Sequence, residues 1–310
     1  MIRKLPPAIV ACIIVLALLV IAAVAAPWLS PHDPLRQSLL LRLRPPGYST
    51  KAMGTFPLGT DDLGRDLLSR IIFGARASLI VAALSVSVSL SIGSLLGLVA
   101  GRSRPWIAAL VMRLVDTMLS IPAILLAILT VAVLGPGFVK LVLVLGLTRW
   151  PRYTRVAYAS TLQVATLPYI RAAEMAGAGP LRILLRHVLP NIAGPLMVVA
   201  TSEFGLMILF EAGLSFLGLG IQPPTASWGN ILAAAQPFYT VAWWYTVFPA
   251  LALLITTLAF NLLGDGIRDA MDPTTERLLR ARKRTKQPRR TKPLVLSEEI
   301  PGAALPPAAQ

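Results

Sequence analysis

Ser78-Leu-Ile-Val-Ala-Ala-Leu-Ser-Val-Ser-Val-Ser-Leu-Ser-Ile-Gly-Ser-Leu-Leu-Gly-Leu-Val-Ala100 holds no charged residue over a length that crosses a ~30 Å hydrocarbon core as a single helix. Working outward, runs of the same kind recur at residues 8–29, 108–134, 138–158, 195–217 and 244–266. The whole chain of 310 residues is 55% hydrophobic and 14% charged, with a mean hydropathy of +0.71. A soluble chain carries about 25% charged residues. Global disorder is excluded, and the pattern predicts an all-α, polytopic membrane protein with six transmembrane helices. The run at 138–158 is the least apolar, because Arg149, Arg152 and Arg155 crowd its end.

The net charge is +15, from 29 Lys and Arg against 14 Asp and Glu. Such an excess suits nucleic acid in a soluble chain. Here the basic residues sit in short connections and in a cluster from Arg277 to Lys292, beyond the last apolar run. That placement fits loops facing anionic lipid and excludes nucleic acid as the partner. The single cysteine, Cys12, lies inside the first run and allows neither an intrachain disulfide nor a thiolate cluster.

Four segments follow. Residues 1–29 form an N-terminal transmembrane helix; its apolar stretch exceeds the about 7–15 residues of a cleaved signal. Residues 30–76 are an extracytoplasmic segment rich in proline. Within it, Leu63, Leu67, Leu68, Ile71 and Ile72 predict an amphipathic helix over Asp61–Arg76 that lies on the membrane surface or packs on the bundle. Residues 77–270 form the core, interrupted by a long loop at 159–194. Residues 271–310 are a basic, then Pro/Ala-rich tail, read as disordered and cytoplasmic. The basic 171–186 stretch and the tail place that loop and both termini in the cytoplasm. The seven basic residues within 30–76 argue the other way.

No phosphate-binding loop G-x-x-x-x-G-K-[ST] occurs, so the chain shows no means of hydrolysing ATP. His32 and His187 fall on opposite sides of the membrane, and no metal or catalytic cluster is expected. The long loop is more informative. It reads Tyr169-Ile-Arg-Ala-Ala-Glu-Met-Ala-Gly-Ala-Gly-Pro180, then Leu181-Arg-Ile-Leu-Leu-Arg-His-Val-Leu-Pro-Asn191. Ala172 with Ala176 and Ala173 with Gly177 make a helix face with almost no side-chain volume. Such a face lets a backbone seat closely against another surface. Arg171 and Glu174, three apart, are placed to pair. Gly177, Gly179 and Pro180 end the helix. The pattern fits a docking helix for a protein partner, or an Ala-rich surface helix with no special role.

This loop resembles the coupling loop of bacterial ABC importer permeases, with Ala172, Ala173, Gly177, Leu189 and Pro190 in place. The loop is one of four such stretches. The others are Pro57-Leu-Gly-Thr-Asp-Asp-Leu-Gly-Arg-Asp66; Glu211-Ala-Gly-Leu-Ser-Phe-Leu-Gly-Leu-Gly220 with Pro223, Pro224 and Ser227-Trp-Gly229; and Asn261-Leu-Leu-Gly-Asp-Gly-Ile-Arg-Asp269 with Asp272-Pro273. Together they are similar to the C-type subunit of the dipeptide, oligopeptide and nickel permeases. Arg171 stands where the signature has Glu, and Glu174 where this subfamily carries Arg, so the charges are exchanged along one helical face. His187 replaces the signature's Ile, as in the subfamily pattern.

The resemblance implies a type I ABC importer permease of the bacterial inner membrane. Its loop helix 169–180 would dock an ATPase through Arg171, Ala172, Ala173, Glu174, Gly177, His187, Leu189 and Pro190. It implies a second homologous permease, two ATP-binding subunits that use ATP and Mg, and an extracytoplasmic solute-binding protein. The chain itself would bind no cofactor or metal. The expected cargo is a di- or oligopeptide; nickel or another small chelate is the alternative, disfavoured because no run contains a histidine. An ATP-independent channel or secondary transporter would need no docking helix.

Charges inside apolar runs mark candidate path residues. Glu203 and Glu211, about 80° apart on a helix, are such candidates; Glu211 also suits a structural cap. Asp116 is placed to pair with Arg113. Asp265, Arg268 and Asp269 fit cap and interface roles. A short re-entrant helix is expected near 227–235. Trp228 is a candidate contact for the binding protein, and Trp243 and Trp244 suit an interfacial belt.

Overall fold

The computed structural model describes residues 6–271. The expected tail beyond Met271 lies outside the described residues. Helix α1 (Pro7–Val24) carries the first apolar run and continues into the short α2 (Ala26–Leu29). A small antiparallel hairpin follows, β1 (Tyr48–Thr50) with β2 (Gly54–Phe56), in register Tyr48 with Phe56. With an isolated antiparallel bridge between Thr60 and Asp66, it is the departure from an all-α chain among these residues.

The amphipathic helix expected over Asp61–Arg76 is not a separate element. Its first six residues are tight turns, and the rest opens α3 (Leu67–Arg102). At 36 residues, or ~54 Å at 1.5 Å per residue, α3 is longer than the hydrocarbon core is thick. Asp66 caps its start, accepting from the Ser69 amide at 2.9 Å.

The run at 108–134 is two helices, α4 (Pro105–Ser120) and α5 (Ala123–Leu134), bent by 85°. Pro122 causes the break: it has no N–H, and it forces Ile121 into an extended conformation. Helix α6 (Phe138–Ala165) outlasts the run expected to end at 158.

Within the long loop stand α7 (Pro168–Met175) and α8 (Pro180–Ile183). A π-turn over Leu184–Val188 then joins α8 to α9 (Leu189–Phe216), giving one helical stretch over Pro180–Phe216. Pro190 lies in the first turn of α9 and Pro195 inside it, so neither forms the stiff corner that a span beginning at 195 would need. Helix α10 (Trp228–Ala235) occupies the expected place near 227–235, closed at its start by a Ser227–Asn230 capping box. Helix α11 (Trp243–Met271) completes the chain.

Among the described residues four helices are long and apolar enough to cross a membrane, or five if the bent α4–α5 pair is one span. The sixth expected span, α6, is long enough at 28 residues but carries Lys140, Arg149, Arg152 and Arg155. It is packed into the bundle instead of facing lipid all round. A Cβ placed on Gly93, Gly97 or Gly101 of α3 would come within 2.5–2.6 Å of α6 atoms, and one on Gly146 of α6 within 2.7 Å of Val88. Ser89 donates to the Gly146 carbonyl at 2.8 Å. Small residues thus bring α3 and α6 together at close range, as membrane helices require where no water drives them together.

Candidate functional site

Helix α7 is held by one anchor. Ile170 is fully buried, while Arg171, Ala172, Glu174, Met175 and Ala176 are exposed. The small face at 172–177 therefore points away from the bundle. The helix ends in a Schellman turn: Ala178 donates to Ala173 O and Gly177 to Glu174 O, both at 3.0 Å, with Gly177 at φ +82°. A Cβ at Gly177 would meet nothing within 4 Å, so the turn opens to the outside. The expected Arg171–Glu174 pair does not form. Glu174 instead takes Arg102, at the end of α3, at 2.5 Å. This ties the exposed helix to the 36-residue span α3. Behind it, Ile183 and Val188 are buried, His187 and Leu189 half-buried and Pro190 exposed. The eight docking candidates thus lie on one continuous segment, with Arg171, Ala172, Glu174, Gly177 and Pro190 on its surface.

A second cluster lies inside the bundle. Glu203 of α9 is 1% exposed. Its Oε2 accepts from Arg149 Nε at 2.8 Å and its Oε1 from Arg149 Nη2 at 2.9 Å, a bidentate pair, and Oε1 also accepts from Arg152 Nη1 at 2.5 Å. Arg149 also lies over the Phe210 ring, 5.2 Å from its centroid. The arginines that make α6 less apolar are therefore partly balanced by the carboxylate of a neighbouring helix. Glu203 and Glu211 do not share an environment. Glu211 is buried against α3, accepting from Ser78 at 2.6 Å and from Ser215 at 2.7 Å. Asp116 pairs with Arg155 of α6 at 2.6 Å, not with Arg113. Asp265, Arg268 and Asp269 are exposed and form no salt bridge among the described residues.

Trp228 is 1% exposed and donates its indole N–H to Ile71 O at 3.0 Å. It anchors α10 on α3, and a buried ring offers no surface to a binding protein. Trp244 is buried as well, reaching Thr60 O, whereas Trp243 is exposed. The stretch from Pro57 to Asp66 is a compact knot. Asp61 accepts from Arg65 Nε at 2.6 Å, from Arg70 Nη1 at 2.9 Å and from two backbone amides. Burial pushes the Asp61 carboxyl above the ordinary aspartate range, and Arg65 acts against that push. Tyr245 of α11 donates to Asp62 at 2.8 Å. Among the described residues no three His, Cys, Asp or Glu side chains gather as a metal site.

Sequence reasoning found the exposed loop helix, α7, and missed the Arg149–Glu203–Arg152 cluster. The signal was present: three arginines one turn apart in a run that should be apolar, and a lone glutamate in another.

A bundle of membrane-length helices with one small-faced helix exposed between two of them defines a polytopic membrane protein. The family described as "binding-protein-dependent transport system inner membrane component" matches residues 93–277, and the N-terminal TM domain of oligopeptide transport permease C matches residues 3–46. A di/tripeptide transport system permease protein DppC of Pseudomonas aeruginosa is 47% identical over 256 residues, 83% of this chain and 84% of that protein. The dipeptide transport system permease protein DppC of Escherichia coli K12 is 43% identical, over 86% of this chain and 88% of its own length. A probable D,D-dipeptide transport system permease protein DdpC of the same strain is 38% identical over the same shares. The chain belongs to the family of binding-protein-dependent transport system inner membrane components, as a C-type permease. It is a multi-pass inner-membrane subunit that works with ATPase and permease partners, and ATP hydrolysis resides in separate subunits.

Proposed function

We propose that the chain is one of two non-identical permease subunits of a peptide importer. It forms half of an alternating-access path and docks an ATP-binding subunit through α7. The observation that carries this is the exposed small face of α7, seated on Ile170 and tied through Glu174 to Arg102 at the end of α3. A push on α7 passes by that ion pair into α3, and from there across the close glycine contacts into α6. The relatives named for di- and tripeptide transport support peptide as cargo. The complete machine has a second homologous permease, two ATP-binding subunits that use ATP and Mg, and an extracytoplasmic solute-binding protein. This chain binds no cofactor, and both termini are cytoplasmic. Glu203 contributes to the path through the arginines it holds, and Glu211 ties α3 to α9.

The test is purification of the tagged chain from native membranes, identification of the proteins that come with it, and reconstitution of the assembly in proteoliposomes. ATP-dependent accumulation of a dipeptide is the expected result. A chain that purifies alone and moves solute without ATP overturns the reading. Accumulation of a nickel chelate and no peptide overturns the cargo.

A further inference from the structure

Arg152 stands at the middle of α6, thirteen residues from Ala165, or ~20 Å from that end at 1.5 Å per residue. Its side chain is 54% exposed. A guanidinium within an apolar run is costly where it faces lipid. The face that carries it therefore meets water or protein in the working assembly. The cluster is also unbalanced: Arg149 and Arg152 share the single carboxylate of Glu203. Arg149 gives two nitrogens to Glu203 and lays its plane on Phe210. Arg152 gives only Nη1. Its remaining N–H groups have no partner among the described residues.

Two further features fall on the same stretch. Arg155, three residues on, and its partner Asp116 are both more than half exposed, at 55% and 62%. They extend a polar stripe along α6 toward the α7 end. The 85° break at Ile121-Pro122 stands six residues beyond Asp116, ~9 Å at helical rise, and Arg149 stands six residues above Arg155 on α6. The break and Arg149 of the unbalanced arginine pair thus stand equally many residues along their helices from the Asp116–Arg155 contact. Broken helices that leave backbone groups uncovered mark cargo sites in transport proteins, because such groups persist at depth only where they are buried in protein or line a water-filled space.

We propose that Arg152 is a carboxylate-binding residue of the translocation path, and that it receives the C-terminal carboxylate of the peptide. Glu203 and Arg149 are positioning residues that hold its guanidinium toward the path. The proposal rests on the peptide-importer reading above and adds the point of recognition. A free carboxylate is common to linear peptides whatever their side chains, so one fixed cation serves cargo of varied sequence. The spare N–H groups of Arg152 match a carboxylate in planar, two-bond geometry. Ejection is not hindered, because a water-filled path weakens the pair.

The experiment uses the complete complex in proteoliposomes, with its solute-binding protein loaded to matched occupancy by a dipeptide or by the same dipeptide amidated at its C-terminus. Uptake and ATP hydrolysis are read in the same vesicles. A charge-assisted hydrogen bond contributes ~1.5 kcal/mol, about tenfold. Arg152→Gln is therefore expected to lower the ratio of free to amidated uptake about tenfold, and the peptide moved per ATP by a similar factor for the free form. Arg152→Lys restores most of both, and Arg152→Glu lowers them further. Equal loss of both peptides shows a merely structural arginine and overturns the proposal. An unchanged ratio overturns it too. Wild-type vesicles that accumulate no dipeptide at all bring down the importer reading instead, so the two failures are distinct.

Discussion

Glu203 balances two guanidiniums from a site where almost no solvent reaches it. Removing one partner of a buried pair costs about 3–5 kcal/mol, because the remaining charge keeps its desolvation penalty. Glu203→Gln is accordingly expected to lower the thermal midpoint of the purified chain sharply. Arg149→Met alone should do nearly as much, and the double variant Arg149→Met with Glu203→Leu should cost less than the two single effects added. Additive losses in that cycle would show that the pair does not couple. The arginines and the glutamate were each legible in the sequence as charges out of place. Their pairing was not, because the partners are 51 and 54 residues apart and no local period relates them. The same limit misassigned Glu174 and Asp116. Helical spacing offered Arg171 and Arg113, and the bundle supplied Arg102 and Arg155 from other helices.

At the scale of elements, α7 makes the most direct test of docking. Ala172 and Ala176 are exposed and helical or capping, so leucine at either costs the fold little. Ala172→Leu and Ala176→Leu are expected to leave membrane insertion and yield intact and to reduce co-purification of the ATPase at least tenfold, the scale of ~1.4 kcal/mol lost at a packed interface. Retention of the ATPase by both variants would remove α7 as the docking surface. Gly177 is a mixed case. Its Cβ space is open, but its φ of +82° strains any β-branched residue. Gly177→Asn should therefore keep transport better than Gly177→Val, which loses the helix end as well as the face. The glycine seam between α3 and α6 answers differently. A Cβ at Gly97 already falls 2.5 Å from that of Ala157, so Gly97→Leu should abolish the folded bundle, seen as loss of the monodisperse peak after detergent extraction. Elements were legible where periodicity or apolar length marks them. They were misjudged where one proline decides: Pro122 breaks an unbroken apolar run, whereas Pro151, Pro195 and Pro249 sit inside helices that continue.

The whole molecule sorts into two faces by the ends of α3. Near its start, Ile71 receives Trp228, and the 57–66 knot is bound to Trp244 and Tyr245. At its end, Arg102 holds Glu174 of α7. Gly266 of α11 lies against Ile9 of α1, so the first and last helices meet near the two ends of the described chain. The one contrary signal in the sequence, the basic residues of 30–76, is in part engaged within the fold. Arg65 and Arg70 are buried on Asp61, and Arg42 and Arg44 lie over the rings of Phe238 and Tyr48. Those contacts engage four of the segment's seven basic residues. The orientation proposed above, with α7 in the cytoplasm and the β1–β2 hairpin outside, is the one that the basic 171–186 stretch favours. Single cysteines in a Cys12→Ser background decide it. With an impermeant maleimide on spheroplasts, Ser49→Cys on the hairpin is expected to label at once, and Thr166→Cys beside α7 only after permeabilisation. The opposite pattern would put α7 on the face away from ATP, and the docking role would fall with it.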